Sequence, residues 1–597
     1  MVQVNQHDLE FILRQIKIAE ANSIAHSAGD AKALTNIWVD ELGNVVDQAT
    51  PGATLAISAE HVPYGLRTVD GSFNNLGAGR ENWGAVDQPF LDLLGDEWRV
   101  SDGDTFQIRT GQNSFTTIGG AYTPTGAVAD ADPRLISNLI VDQTLSNPAA
   151  IYTALMQAGY TGNVLNAVTS IKTQFDAALL TAKTANNALP AAEQKTDAVL
   201  IADVTKTLAT SLENTYGISF DGPSILIENV APDEGLSAPY NSWFTLFGQF
   251  FDHGLDLVQK GGNDKIYIPL APDDPLYVEG SRTNYMVLTR APQTPLNLTT
   301  PFVDQNQTYS SIASKQLFLR EYKLVDGKPA STGHLLEGSK GIATWAEVKA
   351  QARDMLGINL TDEYVGTVPL FRMDAYGEFV RGPNGFPMLA TGTAGNIVWV
   401  EGNPANPISL ANAVLTNHAF LDDIAHNAVP GLVDHDRNPA TPDVMKTADT
   451  DTVANNPIPV NQFGQATTYD NELLDAHFVT GDGRGNENIG LTAVHHIFHA
   501  EHNRIVEQVK EQAIAAAQSG NFAFLNEWLA TDVTALPSNL ATLNWDGERL
   551  FQAARFTTEM QYQHLVFEEF ARKIQPDVDA FVFNPSMDIN PAIFAEF

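Results

Sequence analysis

Between Trp243 and Leu257 the chain reads W-F-T-L-F-G-Q-F-F-D-H-G-L-D-L, and that stretch restricts the fold more than any other. At helical spacing, Gln249, Asp252, His253 and Asp256 stand at i, i+3, i+4 and i+7 and share one stripe. Trp243, Phe244, Leu246, Phe247, Phe250, Phe251, Leu255 and Leu257 cover the rest. A helix apolar nearly all round is predicted to be buried, and a buried polar stripe needs partners. The stripe therefore meets another polar wall, or it faces a cofactor, a metal or a reactive cavity. The pattern predicts a helix over 241–258, starting after Pro239 with Asn241 or Ser242 as its cap.

Other segments place this helix in a mainly α protein with long loops and few short strands. Residues 6–26 read as an amphipathic helix, with Leu9, Ile12, Leu13, Ile16 and Ile18 on or near one face. Residues 50–125 are rich in Gly, Pro and Asn and read as extended loops. Residues 132–215 are Ala-rich and read as helical. Residues 370–470 are dense in Gly, Pro, Asn and Asp and are expected to form long surface loops. A helix is predicted from about 488 to 518, capped by Asn488 and stopped by Gly520. Another is predicted from about 546 to 573, ending before Pro576. No alternation of strand and helix suggests a Rossmann fold.

Composition removes whole classes of function. The chain carries 34 basic and 71 acidic side chains, a net charge of -37. That disfavours nucleic acid and anionic membranes as partners, since both select positive charge. There are no cysteines, so disulfides, thiolate zinc sites, iron–sulfur clusters and thiolate-ligated haem are excluded. No apolar run is long enough to span a bilayer, and Met1–Leu9 lacks the basic and apolar regions of a cleavable signal peptide. Gly261-Gly262-Asn263-Asp264 is expected to be a turn, and Asp434-His435-Asp436-Arg437-Asn438 a surface loop.

The words G-Q-F-F-D-H resemble the distal helix of the animal-type haem peroxidases, the peroxidase–cyclooxygenase superfamily. Three more segments resemble that family in its order. Tyr64 to Leu76 is similar to its R-T-x-D-G-S-x-N-N segment, and Thr300 to Asn306 to its calcium loop. Arg484-Gly485-Asn486-Glu487 with His495 to Arg504 is similar to its R-x-x-E and L-H-x-x-F-x-x-E-H-N-R helix. The resemblance covers roughly residues 60–597. It implies an N-terminal helical extension over 1–50, a haem peroxidase domain over 51–597 and a helical insert at about 130–215.

The resemblance also implies roles. His253 would be the acid/base that moves a proton from peroxide to the departing oxygen, and Arg484 the cation that stabilises its charge. Gln249 would orient water or halide. Asp252 and Glu487 would be the carboxylates that meet haem b, in some members as esters. Thr300, the Phe302 carbonyl, Asp304 and Asn306 would hold calcium, whose preference is six to eight oxygens. Where the family has an aspartate after the distal histidine this chain has Gly254, so the Gly254 carbonyl or Asp256 would take its place, or the site is weaker. The implied partners are hydrogen peroxide and a small donor: a halide, a phenol or Mn(II). The absence of cysteine points to the bacterial branch, secreted without a cleavable leader.

Two further readings compete. His495, His499 and His502 lie at i, i+4 and i+7, so one helix face could hold a transition metal for hydrolysis. The fold could also be a non-catalytic, calcium-binding scaffold. The family's iron ligand lies in a Y-R-x-G-H-like motif soon after the segment similar to Asn590–Phe597. No such motif occurs in this sequence. The expectation is that the chain ends before that ligand, that the parent protein is longer, and that this piece holds haem weakly.

Overall fold

A computed structural model describes residues 3–27, 37–56, 65–74, 79–91, 105–109, 114–119, 128–129, 144–145, 148–226, 240–577 and 590–596, apart from 158, 191–192, 262–264, 273, 275, 290, 293, 394, 437–440, 457 and 463–464. The expected turn at 261–264 and part of the 434–438 loop fall largely outside these residues, as do Tyr64, Asn75 and Leu76. The chain divides into two compact units.

The first unit comprises Met1–Leu93, Pro239–Gln259 and Leu296–Phe597. Its frame is three helices. The N-terminal helix, Gln6–Ser27, turns Leu9, Ile12, Leu13 and Ile16 inward. They join Ile505, Val506 and Val509 of the long helix Ile489–Gln518 and Leu550 of the helix Gly547–His564. The long helix starts where Asn488 Oδ1 accepts the Leu491 N–H at 2.8 Å, a side-chain cap for an otherwise orphaned donor. The chain leaves it through Gly520, whose φ of +97° suits a residue without a Cβ. Asp546 caps the last helix. This helix runs on through a π-helical stretch, Leu565–Ala571, to Ile574.

The segment read as long surface loops behaves otherwise. Phe371, Phe379, Leu389, Leu410, Phe420 and Leu421 are buried in the largest core of this unit. Met388–Thr393 pairs antiparallel with Asn396–Glu401. The Gly and Pro content reflects tight turns between short pieces whose apolar side chains point inward. Composition reports the turns and hides the burial.

The second unit comprises Leu94–Ala238 and Lys260–Pro295. Its helices are Pro148–Gln157, Asn163–Thr169, Ile171–Asn187 and Asp197–Tyr216. Ile151, Leu155, Val168, Ile171 and Leu212 form its own core. Lys265–Pro269 pairs antiparallel with Tyr285–Thr289 and parallel with Val128–Ala129. Among the described residues no helix is long and apolar enough to cross a membrane.

Candidate functional site

The site helix is shorter than its pattern predicts, running from Trp243 to Asp252 with Ser242 at its start. Asn241 Oδ1 accepts the Trp243 N–H at 3.0 Å. His253 is the last residue in helical conformation, and Asp256 lies beyond the helix. Three groups end it by taking backbone atoms that another turn would use. Arg484 Nη2 donates to the carbonyls of His253 and Asp256 at 2.9 and 3.0 Å. Asn297 Oδ1 accepts the Leu257 N–H at 3.0 Å. Gln307 Nε2 takes the Phe250 carbonyl at 2.7 Å, and at Gly254 any Cβ would overlap this same amide.

Burial is also more one-sided than the pattern predicts. Trp243 is 50% exposed, and within the helix only Phe250 is fully buried. Phe250 stacks on Phe498 of the long helix at 5.0 Å and meets Tyr562 edge-on at 5.9 Å. This aromatic contact fixes the depth and rotation of the site helix against its two neighbours. Asp252 sits on the exposed side.

The structure brings Gln249, His253, Arg484 and Glu487 together. Buried His253 places Nδ1 2.8 Å from Asp482 Oδ2, while its Nε2 lies 3.5 Å from Glu487 Oε2. Gln249 donates to Glu487 Oε2 at 2.7 Å and accepts from Asn488 at 3.0 Å. Arg484 Nε donates to Asp482 Oδ1 at 3.0 Å. Asp252 adjoins His253 in sequence but shares no bond with this set among the described contacts.

Asp482 escaped the sequence reading. Burial pushes its carboxyl up, but the hydrogen bond to His253 and the charge of Arg484 outweigh this and hold it well below the usual carboxylate range. The signal was the alternating glycines of Thr480-Gly481-Asp482-Gly483-Arg484. A Cβ at Gly481 would overlap the Asn306 carbonyl, and one at Gly483 the Asp422 carboxylate. The segment threads between two loops that leave no room for side chains. In Asp256, burial and then neighbouring Asp252 raise the carboxyl.

The 300–306 loop also closes on itself. Asn306 Nδ2 lies 2.7 Å from the Gly254 carbonyl, 3.3 and 3.1 Å from the Thr300 carbonyl and hydroxyl, and 3.0 Å from Asp304 Oδ1. Phe302 contributes no contact to this cluster; its ring lies under the Arg67 guanidinium at 5.6 Å. Gln307 fills the space beside Gly254 and donates to the Phe250 carbonyl and Tyr562 hydroxyl, each at 2.7 Å. This explains the glycine: a side chain there would expel Gln307. Gly254→Ala is expected to lower stability by about 1–3 kcal/mol, the usual cost of overpacking. Thermal melts of that variant and of Gly254→Ala/Gln307→Ala check it; equal losses in both would refute the Gln307 explanation.

The three-histidine face does not form a metal site. His502 is fully engaged, with Nδ1 2.8 Å from the Tyr309 hydroxyl and Nε2 3.0 Å from the Gly333 carbonyl. His495 has no hydrogen-bond partner on either nitrogen among the described residues, and His499 has none on Nε2. Both line a cavity of ≈ 10 Å³ with Thr308, Leu319, Val479 and Thr480. That is room for about one water.

Residues 444–597 match the sequence profile of the family described as animal haem peroxidase. That stretch, about a quarter of the chain, is what is similar to the animal haem peroxidase family. Its similarity to curated members is local. It is 31% identical over 127 residues to Peroxidasin homolog pxn-2 of Caenorhabditis elegans, covering 20% of this chain and 7% of that one. It is 30% identical over 126 residues to Peroxidasin of Drosophila melanogaster, covering 20% and 6%. It is 29% identical over 112 residues to Peroxidase mlt-7 of C. elegans, covering 19% and 12%. The chain thus spans under an eighth of the length of these relatives. The description of the matched family names haem. The family match includes Arg484, Glu487 and the long helix, while Gln249 and His253 lie outside it.

Proposed function

We propose that this protein is a haem-dependent peroxidase that reduces hydrogen peroxide while oxidising a halide, a phenol or Mn(II). The observation that carries this reading is the meeting of His253 with Glu487 and Gln249, across more than 200 positions of sequence, within hydrogen-bonding range of Arg484's partner Asp482. The donor set fits a haem on its distal side. Glu487, beside His253 Nε2, and Asp252, next to His253 in sequence, are exposed carboxylates and would hold the macrocycle, by ester bonds or by polar contact. Bound haem would carry the oxidising equivalents.

The residues then divide the work. Nδ1 of His253 is engaged by Asp482, so Nε2 is the nitrogen that takes the peroxide proton and returns it to the departing oxygen. Imidazole suits both steps near neutral pH. Arg484 keeps a permanent positive charge beside the end of the site helix. Gln249, anchored by Glu487 and Asn488, orients water or donor. Haem titration followed in the Soret band, with parallel assays on bromide, guaiacol and Mn(II), tests the proposal on the native protein. Saturable haem uptake without turnover on any donor would overturn it in favour of the non-catalytic scaffold.

We also propose calcium in the 300–306 loop. An amide –NH2 has two hydrogens, yet four oxygens surround Asn306 Nδ2. Oxygens in excess of donors, together with a buried Asp304 whose carboxyl burial raises, favour a cation. With the Asn306 amide turned over, the ring would present Thr300, Asp304, Asn306 and the Gly254 carbonyl. A chain of net charge -37 gains from bound cations, which also suits an extracellular, calcium-rich setting. EGTA is expected to lower the melting temperature, and added calcium to restore it. An unchanged melting curve would argue against the site.

A further inference from the structure

We propose that Asp482 is the positioning residue of the distal site: it holds the proton of neutral His253 on Nδ1 and so leaves Nε2 open as the proton acceptor. The proposal rests on the peroxidase reading only for the use made of Nε2.

The argument is one of donors and acceptors. The Asp482 side chain is 4% exposed, so water does not compete for its oxygens. An ionised carboxylate only accepts, and a guanidinium only donates. Oδ1 takes the Arg484 Nε–H at 3.0 Å, and Oδ2 lies 2.8 Å from His253 Nδ1. In the neutral ring Nδ1 must then donate, which leaves the lone pair on Nε2. Beyond Asp482, His253 is faced by Glu487, 3.5 Å from Nε2, and by Arg484 through the His253 carbonyl.

Asp482 is itself held at its backbone. Its N–H donates to the Gln307 carbonyl at 3.0 Å, and its carbonyl accepts the Thr480 hydroxyl. On either side, a Cβ added at Gly481 or Gly483 would overlap the Asn306 carbonyl or the Asp422 carboxylate, so the flanking segment is closely packed. The same backbone bond ties Asp482 to the loop that carries Thr300, Asp304 and Asn306. One residue therefore orients the histidine and the arginine through its carboxylate and ties them to that loop through its backbone.

The geometry gives an unusual expectation for Asp482→Asn. The amide has one acceptor, and two groups ask for it. Arg484 is always charged and can only donate, so it takes the carbonyl. The –NH2 then faces His253 Nδ1 as a donor, and the proton moves to Nε2. Replacing the aspartate of a serine-protease triad by asparagine acts in this way.

The test is the ¹⁵N spectrum of histidine-labelled protein at alkaline pH, with the His253 signals assigned by their loss in His253→Gln. The wild type is expected to carry the proton on Nδ1, and Asp482→Asn to carry it on Nε2. A wild-type ring protonated on Nε2, or an Asp482→Asn ring still protonated on Nδ1, would overturn the proposal. If the variant does not fold, the wild-type spectrum decides. These measurements need no haem, so the two readings fail separately. An Nδ1–H ring in a protein without peroxide turnover sinks the peroxidase and leaves the positioning role intact.

Discussion

Exchanging His253 for alanine is expected to slow peroxide consumption by the haem-loaded native protein by roughly 10²-fold or more, the scale of a lost general base. No neighbour can take over. Glu487 lies near Nε2, but its carboxylate already accepts the Gln249 amide at 2.7 Å. Gln249 cannot exchange protons. Asp482 is buried behind the ring and paired with Arg484. Haem uptake should be preserved, because no contact assigned to the macrocycle involves the ring of His253. The Soret titration and the initial rate of peroxide loss therefore separate binding from catalysis. A variant that takes up haem and consumes peroxide at the wild-type rate would show that His253 is a structural histidine.

The second large effect is on stability in acid. Burial pushes His495 and His499 down to about 4. Their unfolded pKa is about 6.5. A histidine depressed in the folded state binds its proton more readily when unfolded. Its contribution is complete above the unfolded pKa and is lost as pH falls from about 6.5 to about 4, on the order of 3 kcal/mol for each ring. Other groups oppose this. Burial raises Asp304, Glu378, Glu548 and Glu559, and these favour the folded state as pH falls.

The comparison must therefore be between variants. His499→Leu removes one depressed ring and leaves the carboxyls unchanged. Its melting temperature is expected to gain on the wild type steadily from pH 7 to pH 4.5. The unpartnered Nε2 makes the outcome sharper, since among the described residues it has no hydrogen-bond partner. A constant difference between the two proteins across this range would mean that His499 reaches solvent.

The helices were legible because each carried its own local signals. Asn488 and Gly520 bound the long helix by side-chain capping and by positive φ, and both effects act over a few residues. The site helix misled for the opposite reason. Its pattern continues to Leu257, but Arg484, Asn297 and Gln307 end it at Asp252, and each comes from a distant part of the chain. The exposure of Asp252 and Trp243 was equally hidden, since periodicity shows that a helix is apolar but not which sides are covered.

By itself, then, the sequence determined the helical class, a family resemblance and the residue types of the candidate site: Gln249, His253, Arg484 and Glu487 in their order, with the oxygen-rich loop at 300–306. Those are properties of spacing and side-chain chemistry. Only the tertiary structure decided that Asp482 stands behind His253, that Gln307 occupies the space beside Gly254, and that His502 is spent on Tyr309 and Gly333 while His495 has no hydrogen-bond partner among the described residues. The physical reason is range. Caps and periodicity act between near neighbours, whereas a buried hydrogen bond depends on which distant group the packing brings within about 3 Å.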